Sequence, residues 1–195
     1  IGEHKGGGVH EVVSNLYTNQ KRLQHEPHIW YPGPDEDADS IRLDDNIKGL
    51  ATYCDSKYGF VKNLFGSVNH DIDKFDIVHQ HGIWKPLSIY SRKIRKGNKL
   101  KAVIQPHGYL LEHSYNLSKY KKFIALNLFE RSNLQNANVL IACAMHESLV
   151  LKKIFPHQEI AIIPNGVSLE FFNAQASLNN YSNSKNRMLF LSQII

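Results

Sequence analysis

Apolar positions along this chain follow two alternating rhythms. Val9, Val12, Val13, Leu16, Tyr17 and Leu23 recur at three- and four-residue steps behind Gly6-Gly7-Gly8, which predicts one face of a helix. His28-Ile29-Trp30-Tyr31 then reads as a short strand, stopped by Pro32-Gly33-Pro34. The acidic stretch behind it predicts a loop or a ragged hairpin, and Phe60, Val61, Leu64 and Phe65 predict a helix over 58–68. Further on, short apolar runs at 76–79, 102–105, 139–142 and 160–163 read as strands. Helical spacing separates them. Pro86 suits the first position of a helix ending near Gly97. Phe123, Ile124, Leu128 and Leu134 mark a long helix, and Leu149, Val150 and Ile154 another. Strands divided by helices predict crossover units, hence an α/β fold with a parallel sheet flanked by helices on both faces.

Both ends of the chain carry expectations of their own. A glycine-rich turn that opens a helix normally follows a strand, yet only Ile1 to Lys5 precede these glycines. The first strand is therefore expected to be missing or a stub, leaving the sheet centre open. Residues 174–186 are rich in Asn and Ser and read as a linker. Beyond them Met188-Leu189-Phe190-Leu191 has the pattern of a buried strand. The expected organisation is a domain over 1–173, a linker over 174–186, and the first strand of a further domain over 187–195.

Composition narrows the class. With 195 residues, 42% hydrophobic and 21% charged, the chain is globular rather than disordered, collagenous or coiled-coil. No apolar run approaches the roughly 20 residues of a membrane-spanning helix. Cys54 and Cys143 form no C-x-x-C pair, which fits free thiols in a reducing cytosol. Cys143, in an apolar run, reads as a buried structural residue. The net charge of +5 is unevenly spread. No acidic residue lies between Asp76 and Glu112, a stretch holding Lys85, Arg92, Lys93, Arg95, Lys96, Lys99 and Lys101, and Lys119, Lys121 and Lys122 follow. Such patches favour anionic partners. No nucleic-acid motif accompanies them, so nucleic acid is not expected.

Candidate chemistry gathers at the carboxyl ends of the predicted strands, where open α/β sheets bind ligands. His79 and His81 stand at one end and His107 at the next. Histidine there can bond a hydroxyl, move a proton or ligate a metal. A metal site needs further ligands, and no strand-end Asp or Glu supplies them convincingly. His79 reads as a satisfied core histidine; His81 and His107 are the functional candidates. Trp84 suits either stacking on a sugar or base ring, or plugging the space between helix and sheet. The backbone of Gly6 to Gly8 suits an anion at a helix N-terminus, or merely a flexible turn. Glu147 reads as a carboxylate favouring a helix start, and Pro164-Asn165-Gly166 as a turn.

Five motifs stand in a telling order: Gly-Gly-Gly-Val before an amphipathic helix, Asp76-Ile-Val-His-Gln-His-Gly-Ile-Trp84, Pro106-His-Gly-Tyr109, Leu128-Phe-Glu-Arg131, and Ile162-Ile-Pro-Asn-Gly-Val-Ser-Leu-Glu-Phe-Phe172. Together the chain resembles, over about residues 6 to 173, the N-terminal, acceptor-side domain of a family 4 glycosyltransferase of GT-B fold. The resemblance implies a Rossmann-like sheet and retaining transfer of a sugar from a nucleotide-sugar donor to a glycan or lipid-linked acceptor, as in envelope polysaccharide synthesis. It implies that Gly7 and Gly8 approach the donor diphosphate, that His107 contacts the transferring sugar, and that His81 and Trp84 lie beside the acceptor. It implies no metal and no cofactor beyond the nucleotide-sugar co-substrate. The basic segment 85–101 would suit peripheral contact at the inner membrane face, and a cytoplasmic location. Donor binding in that family belongs to a C-terminal domain, so the chain alone is expected to be inactive. Competing expectations are a metal-dependent hydrolase using His79, His81 and His107, and a non-catalytic anion-binding module.

Overall fold

The computed structural model describes residues 8–32, 46–50, 72–85, 87–97 and 100–166. Ile1 to Gly7, the acidic segment, the predicted helix at 58–68, the linker and the final strand all lie outside these residues. Among the described residues the α/β expectation holds. Four strands, β3 (Ile77–His81), β4 (Lys101–Gln105), β5 (Val139–Ala142) and β6 (Ile160–Ile162), form one parallel sheet in sequential order. A two-stranded parallel sheet pairs β1 (Ile29–Pro32) with β2 (Ile47–Leu50). The helices are α1 (Gly8–Arg22), α2 (Leu87–Gly97), α3 (Glu112–Asn116), α4 (Lys119–Ala125), α5 (Arg131–Gln135) and α6 (Met145–Ile154). A π-helical segment, Leu126–Glu130, joins α4 to α5 as one run.

The central strands are apolar on both faces, as strands covered by helices must be. Ala102 and Ile104 of β4 and Leu140 to Ala142 of β5 are buried, and with Leu134, Leu151 and Phe155 they make the main core. A smaller core under α2 joins Ile72, Tyr90 and Ile94 to Trp30, Val78 and Leu87. The register sets His81 opposite Gln105, so β3 and β4 end level.

The first strand, expected to be missing or a stub over Ile1 to Lys5, falls outside the described residues. Among the described residues no strand lies between β1 and β3. Instead a cavity of about 430 Å³ separates them, walled by Val13 and Leu16 of α1, Trp30 of β1, Ile77 and His79 of β3, and Leu87 of α2.

One helix corrects the sequence reading. Phe123, Ile124 and Leu128 lie exposed, while Leu126, Glu130, Asn133 and Leu134 face inward. The π segment carries an extra residue per turn, with the Arg131 N–H bonded to the Leu126 carbonyl five residues back, so the apolar positions rotate off the core.

Candidate functional site

Four successive strand ends each place one side chain along the same edge of the sheet: His81, His107, Cys143 and Asn165. His81 Nδ1 and His107 Nε2 lie 3.0 Å apart, one ring donating and the other accepting, with the rings stacked at 5.3 Å. His107 Nδ1 lies 3.7 Å from Cys143 Sγ. Gln105 Nε2 donates to both Cys143 Sγ (3.3 Å) and Asn165 Oδ1 (3.1 Å), completing the row. On β3 the two-residue period puts His79 and His81 on one face, their rings 4.1 Å apart.

These imidazoles are held neutral. Burial is the chief cause in each case, because the charged form loses its hydration. His79 falls to about 4, with His107 adding repulsion. His81 falls to about 3, pressed further by His79 and His107. His107 is lowered by burial while the Glu147 carboxylate pulls the other way. Burial raises the Cys143 thiol, so the row carries neutral donors and acceptors at neutral pH.

Two buried carboxylates fix the loops that present the row. Glu147, 3% exposed, accepts the N–H of Gly108 at 2.6 Å and of Cys143 at 2.7 Å. Glu130, fully buried, accepts the N–H of Trp84 at 3.0 Å and Asn133 Nδ2 at 2.9 Å. Both loops need such anchors, since His107 (φ 55°) and Trp84 (φ 73°) sit in the left-handed region beside Gly108 and Gly82. Burial pushes the Glu130 carboxyl up; its hydrogen bonds and Arg95 oppose that. Around it Gln80 donates to Ser88 Oγ and accepts from Asn133, forming a buried polar network with Arg95.

The sequence candidates fare unevenly. His81 and His107 are brought into contact. Trp84 lies beside them, half-buried: its ring packs on the main core, its Nε1–H bonds the Tyr109 carbonyl at 3.3 Å, and Lys122 Nζ stands 5.9 Å over the ring. Gly8 opens α1 with nothing within 4 Å of an added Cβ, and Gly7 lies outside the described residues. His79 is not the satisfied core histidine expected: among the described residues its buried Nε2 has no hydrogen-bond partner. Cys143 is half-buried and stands in the row rather than in the core. Arg95, counted with the basic patch, is 9% exposed and bonds Ser91 and Asn133. Sequence reasoning missed Gln105, Glu130 and Asn165, none of which carries a local signature beyond its motif. Among the described residues no group of three His, Cys, Asp or Glu is arranged to hold a metal ion.

The model of the Glycosyltransferase Family 4 domain matches residues 6–171. The chain belongs to glycosyltransferase family 4. Its match spans every element described, so the histidine row lies within the family 4 domain, at the carboxyl ends of its parallel strands. No curated protein matches the chain. Family membership makes sugar donor and acceptor the general substrates of this glycosyltransferase domain. No described helix is long and apolar enough to cross a membrane.

Proposed function

We propose that this family 4 domain forms the acceptor side of a retaining glycosyltransferase, which moves a sugar from a nucleotide-sugar donor to a glycan or lipid-linked acceptor of envelope polysaccharide synthesis. The observation that carries the reading is the contact between His81 and His107 at two adjacent strand ends. Two neutral imidazoles, already bonded to each other, offer directional donors and acceptors to sugar hydroxyls without adding charge. His107 contacts the transferring sugar, and Glu147 holds its backbone turn in place. His81 and Trp84 line the acceptor side, with the Trp84 indole as a surface for a sugar ring. Gly7 and Gly8 approach the donor diphosphate with the helix N-terminus of α1 behind them. The reaction uses no metal or further cofactor in this reading, and takes place in the cytoplasm. The exposed cations Lys85, Lys93 and Lys96 of the basic segment suit an anionic acceptor.

Transfer also needs the leaving diphosphate stabilised as charge develops. Among the described residues the histidine pair bonds within itself and to Cys143, and no cation joins it. This chain by itself is therefore expected to turn over no donor. Two measurements test the reading on the full chain. Methyl glycosides and short oligosaccharides, titrated into ¹⁵N-histidine-labelled protein, should shift the His81 and His107 imidazole resonances. Silence across the panel would overturn the acceptor-side assignment. Nucleoside diphosphate release from a panel of nucleotide sugars should stay at background, and turnover would overturn the inactivity of the chain alone.

A further inference from the structure

The row of side chains at the strand ends holds few protons, and following each of them gives the direction of its bonds. Gln105 Nε2 supplies two, one to Cys143 Sγ at 3.3 Å and one to Asn165 Oδ1 at 3.1 Å. Asn165 Oδ1 keeps a second lone pair. The Cys143 thiol supplies one, because burial holds it protonated at neutral pH. That proton has two destinations, Asn165 Oδ1 at 3.5 Å or His107 Nδ1 at 3.7 Å. The neutral imidazoles supply one proton each. Their contact, His81 Nδ1 to His107 Nε2 at 3.0 Å, is a hydrogen bond only if one of the two facing nitrogens is protonated and the other is bare.

We propose that Cys143 gives its thiol proton to Asn165 and is thereby a positioning residue that sets the tautomers of both His107 and His81. The contact to Asn165 is the shorter of the two open to the thiol proton. With the S–H so committed, the sulfur lone pairs face Gln105 and His107, and His107 donates to Sγ from Nδ1. Which ring nitrogen of a histidine carries the proton is set by the bond the other makes. His107 Nε2 is then bare and accepts from His81 Nδ1–H. His81 has no second proton, so its Nε2 ends the row as a bare lone pair, and among the described residues that nitrogen bonds nothing. A reversed thiol inverts everything: S–H to His107 Nδ1, His107 Nε2–H to His81 Nδ1, and an N–H at His81 Nε2. One thiol proton therefore decides whether the row ends in an acceptor or a donor. An acceptor there selects a ligand hydroxyl and discriminates against an ether or carbonyl oxygen, which has no proton to give. That consequence deepens the acceptor-side reading and rests on it; the tautomers themselves do not.

The test is the imidazole ¹⁵N spectrum of the full, histidine-labelled chain near neutral pH. Long-range proton–nitrogen couplings there tell the protonated ring nitrogen from the bare one, and His81→Gln and His107→Gln assign the signals. Both rings are expected as Nδ1–H. Asn165→Ala leaves the thiol proton only His107 to bond, and should shift the major form of both rings to Nε2–H. Cys143→Ala removes the acceptor of His107 Nδ1–H and should shift both rings the same way. Cys143→Ser keeps a donor and an acceptor at that place and should restore Nδ1–H. Circular dichroism checks that each variant keeps its native fold, and the spectrum of the unaltered chain decides the first expectation even if a variant does not fold. Nε2–H as the major form of either ring in the unaltered chain would overturn the proposal. So would tautomers that neither Asn165→Ala nor Cys143→Ala moves, the result for a cysteine that only fills space. A glycoside panel that shifts nothing would sink the acceptor-side reading and leave these tautomers as they are, so the two fail separately.

Discussion

At His107 and Trp84 the backbone takes φ of 55° and 73°, a region that costs a residue with a Cβ about 1 kcal/mol or more. The conformation persists because a buried carboxylate takes the N–H just beyond His107 and that of Trp84 itself. Removing either carboxylate strands those donors away from water. Glu130→Ala, which also takes one acceptor from Asn133 and a nearby negative charge from Arg95, should destabilise the fold by about 3 kcal/mol. Glu147→Ala should cost about 2 kcal/mol, from two lost charge-assisted bonds. Urea melts measure both, and losses below about 0.5 kcal/mol would show that the loops hold without their anchors. The histidines carry a pH dependence of fixed sign. Unfolded imidazoles take up protons near pH 6.5, whereas folded His79 and His81 do so only near 4 and 3. Between those values the unfolded chain binds more protons. Stability is therefore full above pH 6.5 and declines as pH falls toward 4 and then 3. Thermal melts across this window should show the decline, and His79→Gln with His81→Gln should flatten it. A slope unchanged in the double variant would mean that other groups carry it. Of the site itself, His81, His107 and Trp84 were legible because histidine at a predicted strand end is conspicuous. Glu130 was not, since a glutamate within a helix looks solvent-facing until the fold shows what it meets, and Glu147 reads in sequence only as a carboxylate favouring a helix start.

Among the elements, β3 to β6 were legible within a residue or two, because buried parallel strands are short apolar runs between turn signals. β2 was not. Ile47-Lys48-Gly49-Leu50 lacks both alternation and a β-branched run, and pairing with β1 is what makes it a strand. The faces of helices were less legible than their existence. The reading of the long helix assumed that apolar means inward, and the π segment with Glu130 and Asn133 inverted that. The same assumption, reversed, put Arg95 on the surface. Its Nε donates to the Ser91 carbonyl at 2.9 Å, its Nη2 to Asn133, and Glu130 attracts its charge. Burial and the nearby Arg92 lower its pKa to about 10, still well above neutrality. Two residues of α2 that look alike in sequence should therefore differ sharply. Arg95→Ala should cost about 2 kcal/mol, since it removes a buried donor and leaves the Ser91 carbonyl and the Asn133 side-chain oxygen without their partner. Lys93→Ala, on the exposed face, should stay within about 0.5 kcal/mol. Chemical denaturation of the pair decides it, and equal effects would show that Arg95 contributes no more than a surface charge.

For the whole molecule the cavity between β1 and β3 matters most. Native interiors leave few voids larger than a water molecule, and an apolar void forfeits the dispersion contacts of its walls. A space of about 430 Å³ lies between two strand edges, with apolar side chains from α1 and α2 around it. Its walls could not be assigned from sequence, because they come from several elements that no local pattern brings together. Two results are expected. The native chain should bind the apolar dye anilinonaphthalene sulfonate, with blue-shifted emission that is absent after unfolding. Narrowing the space should help folding: Val13→Phe, from a helix whose inner face already lines it, should stabilise by about 1 kcal/mol and reduce dye binding. The paired readout separates cavity filling from a chance surface effect, since only filling changes both together. A chain that binds no dye, and that Val13→Phe destabilises, would mean that the gap closes in solution and that the two sheets meet without a strand between them.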